Sequence, residues 1–112
     1  MQVLFLIIKR TELVDDIMKA LASIGIHGGT AIDSIGMAKS ISTMDNLPTI
    51  GLLREMLKGE DPSKKGKTIL VAVPDEQVEA AKETILKITG DLSLPNAGVL
   101  FGVPITFALG IN

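Results

Sequence analysis

The chain has 112 residues and no cysteine, which suits one domain without a second core and excludes a disulfide framework, a thiolate metal site and a cysteine nucleophile. A net charge of −2 and 3% aromatic residues leave neither a basic footprint nor a base-stacking platform, so a nucleic-acid partner is not expected. Hydrophobic residues reach 46% and the mean hydropathy is +0.42, which implies more apolar surface than one small sheet-and-helix layer can hide.

In chain order, Val3 to Ile8 is a continuous apolar run, the pattern of a central strand covered on both faces. It is too short for a signal or a membrane span and is followed at once by Lys9 and Arg10, so no membrane insertion is expected. With the absence of cysteine, this fits a cytoplasmic protein. Thr11 is the expected N-cap of a helix whose apolar stripe is Leu13, Ile17 and Leu21, with Val14 and Met18 beside it. Gly25 is placed to end that helix as a left-handed C-cap residue. Gly28 to Ile35 then alternates, with Thr30, Ile32 and Ser34 on one face and Ala31, Asp33 and Ile35 on the other, as in a half-exposed strand near an edge.

Ile41 to Gly66 is long for a connection in so small a domain, and loops of that length are usually functional. Pro48 and Gly59 bracket an apolar stripe of Ile50, Leu53, Met56 and Leu57, which predicts a short helix near Thr49 to Lys58. With Arg54, that stripe is the candidate partner-binding surface. Thr68 to Val73 predicts a second central strand. Asp75 is the expected cap of a second helix reaching about Thr89, with Val78, Ala81, Ile85 and Ile88 inward, and Gly90 stops it. Leu92 to Ala97 reads as a loop, and Gly98 to Ile105 as a last strand limited by Pro104.

The order strand, helix, strand, strand, helix, strand predicts an α+β, ferredoxin-like split βαβ (βαββαβ) domain over residues 1–112. Its four-stranded antiparallel sheet carries two helices on one face and a long loop with a short helix between the second and third strands. The helices cover one face only, yet three strands are apolar at both parities. The open face would exceed the roughly few hundred Å² that monomers expose, and a closed oligomer is the simplest remedy.

No catalytic set is recognisable. The single histidine, His27, has no ligand partners at metal spacing, and the serines lack a base or oxyanion arrangement. Enzymatic activity and a bound metal are therefore not expected. Glycines at Gly28, Gly29, Gly36 and Gly98, with Lys39 and Lys67 at the two ends of the long loop, could hold a phosphate or carboxylate, although glycines also begin and end strands for purely structural reasons.

The succession Leu13-Val-Asp-Asp16, Gly25-Ile-His-Gly-Gly-Thr30, Gly36-Met-Ala-Lys39, Asp75-Glu-Gln-Val78 and Asn96-Ala-Gly-Val-Leu-Phe101 resembles the PII signal-transduction (nitrogen regulatory) family across nearly the whole chain. The resemblance implies a homotrimer of ferredoxin-like subunits, an adenine nucleotide in the clefts between subunits, and a long loop that docks on a regulated transporter or enzyme. Carried over by position, Thr30 lies near the adenine. Gly36, Met37, Ala38, Lys39 and Ser40 form the loop root facing ribose and phosphates, with Lys67 at the loop's far end. Asn96, Ala97 and Gly98 form the phosphate loop. The departures are specific. Val99 stands where the family has its phosphate-binding lysine, Ser40 where it has a glutamine, and Phe107 to Asn112 lacks the family's basic residues. There is no tyrosine to accept a uridylyl group. Charged hydrogen bonds contribute roughly 1.5–3 kcal/mol each, so the missing cations point to a less charged ligand than ATP.

Overall fold

The computed structural model describes residues 1–37, Ser40 and residues 65–111. Strands β1 (Gln2–Ile8), β2 (Gly29–Ser34), β3 (Gly66–Val73) and β4 (Val99–Pro104) form one antiparallel sheet in the order β2-β3-β1-β4. Helices α1 (Val14–Ser23) and α2 (Val78–Thr89) connect β1 to β2 and β3 to β4. This is the ferredoxin-like arrangement expected from the sequence. The helix expected at Thr49 to Lys58, with Ile50, Leu53, Arg54, Met56 and Leu57, lies outside the described residues.

Strand register decides which side chains meet the helices. Leu4 and Leu6 of β1 stand opposite Val71 and Ile69 of β3. These residues, with Ile8 and Val73, join Val14, Ile17 and Leu21 of α1 and Ala81 and Ile85 of α2 in one buried core. The other parity carries Val3, Phe5 and Ile7 on β1, paired with Val103, Phe101 and Val99 on β4. Phe5 and Phe101 stack across the strands with ring centroids 5.0 Å apart. Ile32 of β2, opposite Thr68 of β3, continues this second face outward. Ile7, Ile32, Val99, Phe101 and Val103 are all exposed on it. The apolar open face inferred from strand composition is therefore present.

The end of α1 follows its sequence closely. Gly25 has φ +87°, its N–H donates to Ala22 O at 3.0 Å, and the Ile26 N–H donates to Leu21 O at 3.0 Å. That is a Schellman motif, and Ile26 and Leu21 are both buried, which supplies the apolar contact that accompanies it. Gly90 likewise closes α2, its N–H donating to Leu86 O at 2.9 Å. The helix starts differ from expectation. Thr11 and Asp75 do not cap; each begins a single 3-10 turn (Thr11–Leu13 and Asp75–Gln77), without a side-chain cap hydrogen bond. The Asp75 carboxylate instead meets the Met1 amino group at 2.8 Å.

Candidate ligand site and loop root

The polarity of each strand sorts the connections between two ends of the sheet. β2 ends at Ser34 and β3 begins at Gly66, and these two residues are paired, so the long connection leaves and re-enters at one point. Ile8, at the end of β1, is opposite Lys67, while Ile7 is opposite Val99 at the start of β4. The loop root, Lys67 and the Asn96–Gly98 loop therefore share one end of the sheet. Three strand spacings, roughly 14 Å, separate β2 from β4, so among the described residues the two candidate halves stand apart at opposite edges of the sheet. Thr30 is further away. It pairs with Leu70 near the opposite end of β2 and projects on the open face.

At the loop root, the Ser40 N–H donates to Gly36 O at 3.1 Å, and the Met37 side chain is exposed. Ala38 and Lys39 lie outside the described residues. Lys67 Nζ meets Asp33 Oδ1 at 3.0 Å across the β2–β3 ladder. A hydrogen bond from Lys67 and its charge hold the Asp33 carboxyl below its ordinary pKa. The pair favours the folded state above the ordinary carboxylate range and that contribution is lost as pH falls through the depressed value. An acid titration of stability, run beside Asp33→Asn, is expected to show a smaller acid loss in the variant than in the parent. An anion approaching Lys67 has to compete with Asp33, a neighbour that sequence spacing alone did not reveal.

The loop between α2 and β4 is built from successive turns. Asp91 accepts the Ser93 N–H at 2.8 Å and the Ser93 hydroxyl at 2.7 Å, and these two bonds lower its carboxyl pKa. The Leu94 N–H reaches Asp91 O and the Ala97 N–H reaches Leu94 O, both at 3.3 Å. Asn96 sits at φ +61°, a left-handed conformation that asparagine tolerates. Gly98 has φ +126°, and a Cβ there would come within 2.9 Å of both Ile7 O and Ile8 Cγ2. Two independent constraints thus require glycine. Gly98→Ala is expected to lower stability by about 1–3 kcal/mol, read as a lower denaturation midpoint with an unchanged slope. A cavity of about 230 Å³ lies beneath this loop, bounded by Ile7, Ile8 and Lys9 on one side and Leu94 and Asn96–Val99 on the other.

No family model and no curated protein matches the chain. The site must therefore be read from its own residues. A larger cavity, about 530 Å³, opens at the other end of the sheet between the Gly25–Gly28 turn, Pro74, Gln77 and the tail residues Gly110 and Ile111. His27, expected as a plain turn histidine, is exposed and lines it. Sequence reading missed this cavity because its walls come from both extremities of the chain. Gln77 closes one side by donating from Nε2 to Ile24 O at 3.1 Å. Among the described residues, no helix is long and apolar enough to cross a membrane.

Proposed function

We propose that the chain is a non-enzymatic, PII-like regulatory protein. It acts as a homotrimer packed through the open sheet faces, senses a small ligand in clefts between subunits, and regulates a partner protein through the loop of residues 41–66. The observation that carries this reading is the shared end of the sheet. The loop root at Ser34–Gly66 and the Asn96–Gly98 loop flank it from opposite edge strands, next to a face of exposed Ile7, Ile32, Val99, Phe101 and Val103. Neighbouring copies packed on those faces would bring one chain's loop root towards the next chain's Asn96–Gly98 loop. The ligand class implied by the resemblance is an adenine nucleotide.

A second reading is favoured by the cations. Lys67 is already engaged by Asp33, Val99 replaces a lysine, and the exposed tail is apolar at Phe107 and Leu109. These residues fit a diverged sensor of a nucleoside, a less charged nucleotide or a small anion. A third reading, a structural oligomer whose loop packs on itself, predicts no ligand response.

One experiment separates them. Molar mass by light scattering is measured beside thermal unfolding with ATP, ADP, AMP, adenosine and inorganic phosphate. A ligand at about 100 times its Kd adds about 2.7 kcal/mol, a readable shift. The proposal expects trimer mass and a response to at least one adenine compound. Monomer mass at high protein concentration together with no response across the panel overturns it. The pairing of Ser34 with Gly66 also permits a loop deletion, in which a short hairpin turn replaces residues 35–65 with the register kept and takes the ligand-facing root from Gly36 to Ser40 away with the loop. That variant should keep its mass and lose partner regulation.

A further inference from the structure

One terminal nitrogen of Arg10 uses both its hydrogens on distant backbone carbonyls, Thr89 O at 2.8 Å and Ala97 O at 3.0 Å. Thr89 ends α2 and is buried, so its carbonyl is one of the helix's unsatisfied acceptors and needs a donor. The guanidinium also places a positive charge against the negative end of the helix. Ala97 belongs to the loop, and its N–H makes a long 3.3 Å contact to Leu94 O. Asp91, Ser93 and Leu94 bond within the loop itself, whereas Arg10 ties it to the β1–α1 junction. On the other side of Ala97, Gly98 sits against Ile7 O and Ile8 so closely that a side chain is excluded. The loop is therefore gripped on two sides, by a charged clamp at Ala97 and by close packing at Gly98, and Asn96 is left exposed at φ +61°.

We infer that Arg10 is the positioning residue of the Asn96–Gly98 loop, fixing its conformation for whatever ligand the loop meets. This rests on the reading of that loop as part of a ligand site, but the clamp can be tested apart from it. Arginine suits the role because it is permanently charged and its planar fork fixes two donors in one geometry, which lysine's single ammonium does not.

The test compares the full-length protein with Arg10→Met, which keeps the aliphatic stem, and Arg10→Lys, which keeps the charge. Amide exchange is followed by NMR at Leu94 and Ala97 and at core positions of β1 and β3. In Arg10→Met, exchange at Leu94 and Ala97 should rise about tenfold or more, the equivalent of one charged hydrogen bond, while β1 and β3 change by less than about twofold. Arg10→Lys should recover part of that protection. Unchanged exchange at Leu94 and Ala97, or an equal rise throughout the sheet, overturns the inference. ADP titrated into parent and Arg10→Met then addresses the site. Weaker binding by the variant supports the role, and equal binding overturns its bearing on the ligand. A parent protein that takes up no ADP counts against the nucleotide reading and leaves the exchange result to decide the clamp.

Discussion

If the proposed trimer closes through the open sheet faces, replacing Phe101 with glutamate is expected to leave the fold intact and to yield monomers. Phe101 stands at the middle of β4, stacked on Phe5 and 44% exposed, so a polar side chain there meets water in an isolated chain. In an assembly closed through the sheet faces, the same carboxylate would be buried among Val99, Val103 and Ile7 without a cation. An uncompensated buried charge costs about 3–5 kcal/mol, and every copy in the assembly contributes one. Each 1.4 kcal/mol is tenfold in an equilibrium constant, so association should fall by at least about a hundredfold per copy. Light scattering at matched concentrations reads this directly, with Lys87→Glu on the exposed side of α2 as the control for added negative charge. Parent-like mass for Phe101→Glu would sink the proposal that this face is the interface.

Truncating Leu6 to alanine should have the largest effect on the fold itself. Leu6 is 1% exposed on the helix-facing side of β1, between Ile69 of β3 and Leu100 of β4. Its cluster includes Ile17 and Ile85, one from each helix, so the side chain sits where both layers converge. Buried leucine-to-alanine changes cost about 2–5 kcal/mol, the spread reflecting how far the surroundings collapse. For a domain of this size, that is roughly a 10–20 °C fall in Tm. The adjacent Ile7→Ala removes a similar volume from the opposite face. It should cost much less when protein concentration is too low for assembly, and more as concentration rises. Equal losses for the two variants at every concentration would contradict the division of the sheet into a helix-covered side and an association side.

Much of the fold was legible because its signals are local or strictly periodic. The apolar run in β1, the alternation in β2 and the glycines at Gly25 and Gly90 each act through their immediate neighbours. β1 is central as expected, but the Val3, Phe5 and Ile7 side expected to be covered is open, because both helices pack on the other face. Helix starts were less legible. Thr11 and Asp75 are ordinary capping residues, but the chain enters both helices through 3-10 turns, and the Asp75 carboxylate pairs with the Met1 amino group instead. The candidate site was legible in part. Lys67 does mark the return of the long loop, yet its pairing with Asp33 depends on the β2–β3 register, which composition does not encode. Arg10 escaped sequence reading altogether, since its acceptors Thr89 and Ala97 lie on the far side of the chain and no periodicity links them.

The central place of β1 has a consequence for how the protein is made. Gln2 pairs with Val73 of β3 on one side and with Pro104 of β4 on the other, so β1 is flanked on both sides only after β4, the strand furthest from it in sequence, has been made. Until then, Val3 to Ile8 has at most β3 beside it, and its β4 edge stays open. Long-range pairing of this kind favours slow folding and exposure to aggregation. The segment between Ser34 and Gly66 adds little to that burden, because closure entropy grows only as the logarithm of length and doubling it costs about 0.6 kcal/mol. The length of that connection therefore weighs little against the long-range pairing of β1.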